Sequence, residues 1–191
     1  MAGARAGPPG ARDAVARHVP ALLGGQPGPA RSAPRGPEPL SGPGVIEIRR
    51  RLPAPVAEVF RWWTQADRLR QWMAPAGTVE AEVDLRVGGA FRVVMRGEGM
   101  VIEHVGEFVE IDEPRRLAFT WSSRYTGAGP SLVTLSLEPD GEEATLLRLV
   151  HSELPGPAAD SHRGGWGAML LRLEGVLAAG RDLEVEPHDG H

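Results

Sequence analysis

The 191-residue chain has 21 arginines, no lysine and no cysteine, and its 25 acidic residues leave a formal net charge of −4. The missing cysteine excludes disulfides and thiolate-based metal or redox centres. No run of about 18 apolar residues occurs, so membrane insertion is not expected.

Residues 1–44 hold nine Gly, nine Pro, no aromatic residue, and five Arg against two acids. Such a segment buries too little apolar surface to offset chain entropy and is expected to be disordered. Its longest apolar run, VPALL (19–23), is short and interrupted by Pro20, and no cleavage site follows. No signal peptide is read there, and a cytoplasmic protein is expected. Residues 45–191 carry 16 basic and 23 acidic residues, a net of −7. They are numerous enough for a real core, with the domain expected over 45–180 and a short tail over 181–191.

The first strand is read in VIEIRRRL (45–52), with Ile46, Ile48 and Leu52 on one face. Arg49–Arg51 alternate faces and have no aromatic surface around them. They read as a solvated sheet edge, and nucleic acid is not expected as a partner. The period then changes. Pro55 suits a first helical turn, and Val56, Val59, Phe60 and Trp63 follow helical spacing. Thr64 is expected to cap a second short helix over Gln65–Trp72, ended by Pro75.

Six strands follow, over Thr78–Val87, Ala90–Arg96, Val101–Ile111, Arg115–Ser122, Ser131–Glu138 and Ala144–Ser152, with Gly, Pro and Asp turn chemistry between them. Short links predict an antiparallel meander, to which the first strand adds a seventh. Within VDLRVGGAF (83–91), Leu85 and Val87 continue the strand, Asp84 and Arg86 share its other face, to pair with each other or with acids on adjacent strands, and Gly88–Gly89 turn the sheet. A last helix is read over 159–180, capped by Asp160 or Ser161 and closed by Gly180. Trp166, Met169, Leu170, Leu173, Val176 and Leu177 form its apolar stripe. The class is α+β, with one long helix covering one face of a seven-stranded sheet. A curved sheet around a single helix leaves space between them for a small apolar ligand.

Five stretches carry a family resemblance: VFRWWTQADRLRQWMAP (59–75), VDLRVGGAFRVVM (83–95), GEFVEIDEPRRLAFTW (106–121), LVTLSLEPDGEEATLLRLVH (132–151) and GWGAMLLRLEGVL (165–177). Their order resembles the helix-grip fold of the START/Bet v 1-like (SRPBCC) superfamily. Within it the chain is similar to bacterial proteins named after the C-terminal domain of the activator of the heat-shock 90 kDa chaperone's ATPase. The resemblance implies that fold. It also brings three functional classes: ligand binding or carriage, cyclase-type enzymes, and a chaperone-interaction module.

Strand parity and helical spacing supply the candidate lining. Phe91, Val93 and Met95 share a face, as do Leu117, Phe119 and Trp121, and Leu147, Leu149 and His151. Phe108 joins them from the fourth strand, and Trp63, Trp72, Trp166, Met169 and Leu170 come from helices. Aromatic and Met side chains suit a flat or flexible apolar molecule, so the expected partner is a small hydrophobic ligand held in an internal cavity. Core packing is the competing reading for each residue.

His151 is the one catalytic candidate, as a general base in a cyclase- or dehydratase-like reaction, unless a core neighbour satisfies it. Glu107, if it faces inward, would pair with His151 or Arg86. His104, His151 and His162 lack metal-ligand spacing, His162 reads as part of the last helix's cap, and neither metal nor cofactor is expected. No nucleophile elbow or phosphate loop occurs. A homodimer is left open.

Overall fold

The computed structural model describes residues 44–184 except 75, 98 and 128. The expectations for residues 1–43, for Pro75 as a helix stop and for most of the C-terminal tail lie outside the described residues.

The elements are β1 (Ile46–Leu52), α1 (Val56–Thr64), α2 (Ala66–Trp72), β2 (Thr78–Val83), β3 (Ala90–Gly97), β4 (Met100–Asp112), β5 (Arg116–Trp121), β6 (Ser131–Pro139), β7 (Thr145–Ser152) and α3 (Gly156–Glu184). The strands form one antiparallel sheet in the order β1-β7-β6-β5-β4-β3-β2. This is the helix-grip fold, with all three helices contributing to one core against the sheet. β1 is an edge strand, and its arginines pair with nearby acids, Arg50 with Glu174 and Arg51 with Asp140.

In α1, Val59, Phe60 and Trp63 are buried, as the spacing predicts. Thr64 does not cap α2. It sits in the last turn of α1, where its hydroxyl donates to the Phe60 carbonyl at 2.9 Å, and Gln65 takes the N-cap position of α2. The last helix also differs from its expected bounds. It begins at Gly156, so Asp160, Ser161 and His162 lie inside it, and it passes Gly180 to reach Glu184. Pro157 in its first turn was the overlooked signal, because proline's fixed φ suits that position.

β2 ends at Val83, four residues earlier than the alternation implied. The Arg86 amide donates to the Asp84 carbonyl at 2.8 Å and the Gly89 amide to the Arg86 carbonyl at 2.8 Å. These turn bonds replace the ladder, leaving Leu85 and Val87 exposed. The corner is then pinned to β4: the Gly88 amide donates to the Phe108 carbonyl at 2.7 Å, and the Phe108 amide donates to the Gly89 carbonyl at 2.9 Å. Gly88 adopts φ +77°, and a Cβ on Gly89 would lie 2.1 Å from the Asp84 carbonyl oxygen. Asp84 and Arg86 do pair at 2.8 Å, but in solvent, where such a pair adds little.

A second close approach lies beneath the Phe91 ring. A Cβ on Gly106 would sit 1.9 Å from the Thr120 carbonyl oxygen and 2.5 Å from Phe91. Backbone cannot retreat as a flexible side chain can. Gly106→Ala is therefore expected to lower stability by about 1–3 kcal/mol in urea denaturation. An unchanged midpoint would show that β4 and β5 can separate at this point.

Candidate functional site

The predicted lining residues divide between two spaces and the solid core. Trp63, Phe91, Val93, Phe108, Phe119 and Trp121, with Leu69 and Met73, surround a void of only about 20 Å³. That holds about one water-sized group. The Phe91 ring packs against Phe108, Phe119 and Trp121 with centroids 5.7, 5.1 and 5.8 Å away. The deep interior is thus nearly filled.

The larger space is a groove of about 390 Å³ where β3, β4 and the β5–β6 connection face the first half of α3. Met95, Trp121, Trp166 and Met169 line it, all from the predicted set. Met100, Ile102, His104, Tyr125, Ser161, His162 and Gly165 complete it. Trp72, Leu170 and His151 line neither space; they lie in the packed interior. Ile102 shares the strand parity of His104 and was open to the same reasoning, whereas Met100 lay one residue before the predicted strand, which starts at Met100 in the fold. Tyr125 was not open to it, since it sits in an irregular connection with no period to follow.

Trp121 is common to the void and the groove. The His104 ring stacks on it with centroids 4.2 Å apart, and Trp166 lies 5.2 Å away on α3. Three buried side-chain atoms in the described residues have no hydrogen-bond partner: Trp63 Nε1, His104 Nδ1 and Trp121 Nε1. All three residues line the void or the groove. Burial, with His162 second, pushes the His104 imidazole down to about 4, so the ring is neutral at pH 7.

His151 is fully buried and its bonds are complete. The Trp166 indole N–H donates to its Nδ1 at 3.0 Å. Nε2 must then carry the proton, which it donates to Ser131 Oγ at 2.7 Å, and Ser131 donates onward to the Trp121 carbonyl at 2.8 Å. Burial first, then His162 and His104, push this imidazole down to about 3. Glu107 cannot reach it, because that side chain is on the exposed face of β4. His162 is not a cap residue; its Nδ1 lies 2.8 Å from the Ala158 carbonyl oxygen within α3. Among the described residues no group of three His, Asp or Glu side chains is placed to hold a metal ion. No described helix is long and apolar enough to cross a membrane.

Another cavity of about 390 Å³ lies between α1 and the C-terminal part of α3. Its walls mix apolar side chains with charged ones, and Glu58, Arg61 and Arg68 answer one another. Glu58 accepts from Arg61, Arg68 and the Trp62 indole, and Arg68 stacks on Trp62 at 5.1 Å. Burial works to raise the Glu58 carboxyl, but these donors outweigh it and hold the group below its usual range.

Fold and site together define a helix-grip protein with an apolar groove between its sheet and its long helix. The chain belongs to the family described as Activator of Hsp90 ATPase homolog 1-like protein, whose model matches residues 53–178. Among solved structures it is similar to a protein of Chromobacterium violaceum, with 26% identity, a TM-score of 0.63 and coverage of 71% of this chain and 98% of that one. CalU16 from Micromonospora echinospora is 30% identical with a TM-score of 0.56, over 73% of this chain and 79% of that one. An HSP90 activator from Plasmodium falciparum is 28% identical with a TM-score of 0.59, over 70% of this chain and 96% of that one. No curated protein matches the sequence.

Proposed function

We propose that the protein binds a small hydrophobic or aromatic molecule in the groove beside Trp121 and α3, without transforming it. The observation that carries this reading is the groove's lining: Trp121, Trp166, Tyr125, Met95, Met100 and Met169 give it aromatic and thioether walls that suit a flat or flexible apolar molecule. The groove volume of about 390 Å³ also falls in the range of small-molecule sites. A reaction through His151 is disfavoured, because both its nitrogens are committed inside the core and no carboxylate among the described residues lines the groove.

Gly165 gives the test a blocking variant. It lines the groove, and a Cβ there would meet no atom within 4 Å. Gly165→Leu should fill the space while gaining about 0.5–1 kcal/mol of helix propensity. Lipids, aromatic polyketides and bile-acid-like compounds should be screened by thermal shift and native mass spectrometry. At least one compound should raise the melting temperature of the natural protein and fail to do so for Gly165→Leu. No stabilisation by any compound would sink the reading.

The likeness to the Plasmodium falciparum HSP90 activator supports a second reading, a chaperone-interaction module. It predicts that the purified protein raises the chaperone's ATPase rate and that Gly165→Leu, which alters only the groove, leaves that stimulation intact.

A further inference from the structure

The outer face of β4 carries an exposed apolar row that the groove does not use. Val101, Val105 and Val109 lie on the face opposite the buried His104 and Phe108. They are 46, 43 and 47% exposed, although β4 is an interior strand of the sheet. Val87 extends the row past Val109, since its neighbour Gly88 bonds to the Phe108 carbonyl. Of the nine large hydrophobic side chains exposed among the described residues, four belong to this row. Exposed apolar residues gathered on one face mark a contact surface, whereas single scattered ones do not.

The charges on this face decide what the row can meet. Glu103 and Glu107 alternate with the valines. Arg92, opposite Val105 on β3, bonds to Glu103 at 2.6 Å. Glu107, opposite Ala90, has no ion-pair partner among the described residues. On the far side of Val105 the neighbour is the uncharged Ser122. Arg92 thus stands about 4.8 Å from Val105 across the sheet, and Glu107 about 6.7 Å from it along the strand. A two-fold axis through Val105 that crosses the strands of two copies near 90° exchanges those two directions. It lays Glu107 of each copy over Arg92 of the other, with the Val105 side chains in contact at the centre. Sheets pack face to face either near-perpendicular or aligned. Aligned copies would set acids of this row against acids, which costs association energy.

The geometry points to a homodimer formed through the outer face of β4, isologous about Val105, with crossed strands and two Glu107–Arg92 pairs flanking the valines. Arg92 commits its Nε to Glu103 and keeps the remaining guanidinium N–H groups for Glu107 and for Glu82 at 3.6 Å. The groove lies on the other face of the sheet, against α3, so the dimer leaves it open and stands whether or not a ligand binds there.

Analytical ultracentrifugation of the full chain at up to about 1 mM tests the pair. The natural protein should show a reversible monomer–dimer equilibrium. Val105→Asp sets two carboxylates on the axis and should weaken it by at least about a hundredfold. Glu107→Arg and Arg92→Glu should each weaken it about tenfold, because the two-fold repeats each lost pair and makes it repulsive. The double variant swaps the charges and should recover most of that loss. Such recovery also shows that the single variants failed through charge and not through the fold. A monomer at every concentration would give the face to another occupant, or to water, and overturn the inference. So would a dimer indifferent to Val105→Asp, or one that Glu107→Arg tightens, the result aligned strands would give.

Discussion

Trp166→Ala is expected to lower stability by about 3–5 kcal/mol, a large fraction of what holds a domain of this size. Trp166 is 1% exposed and joins three parts of the interior. Its ring packs against Trp63 at 5.9 Å and Trp121 at 5.2 Å, and its indole N–H holds His151 in one tautomer. Removing the ring opens a cavity between α3 and the sheet and strands a buried imidazole nitrogen. Trp166→Phe separates the two contributions. It keeps most of the packing and loses only the N–H, so it should cost about 1–3 kcal/mol. Urea denaturation of the pair provides the comparison. A near-equal loss in both variants would show that the hydrogen bond to His151 outweighs the packing, contrary to the areas involved.

Acid should destabilise the protein steeply between about pH 6.5 and pH 3. An unfolded chain protonates His104 and His151 near their ordinary value of 6.5, whereas in the fold burial pushes them to about 4 and about 3. Across that interval the unfolded state binds more protons, so stability falls as the pH drops. The contribution is fully present above about pH 6.5 and is withdrawn as the pH descends through the two folded values. Together the two rings make a difference of several kcal/mol. Glu58, held below the usual carboxylate range by its arginine and indole partners, acts in the same direction at the lower end. His151→Gln, which can still accept from Trp166, should flatten the pH dependence of the urea midpoint between pH 6 and 4. A midpoint independent of pH in the natural protein would mean that these rings open to solvent when they protonate.

The sequence by itself determined the architecture. Alternation over β3, β5 and β7 predicted their buried faces, because a strand's side chains have a period of two whatever lies above them. The stripe from Trp166 to Leu177 likewise predicted the buried face of α3. Segment ends were less legible, because local hydrogen bonds compete with regular structure there. The amides of Arg86 and Gly89 stopped β2 before Leu85, and Pro157 started α3 before any capping side chain.

The site was legible only in part. Parity placed Phe91, Phe108, Phe119 and Trp121 on the inner face but could not say whether the space beneath them was filled. How far a helix stands from a sheet depends on every side chain between them at once. Only the tertiary structure decided that the deep interior closes to a void of about 20 Å³, while the open volume lies beside Met95, His104 and Trp121 under the glycine-bearing first half of α3. It also decided the fate of His151. An inward imidazole near a strand end reads alike as a base or as a core residue. The difference lies in Ser131 and Trp166, which are 20 and 15 residues away in the chain and within 3.0 Å in the fold.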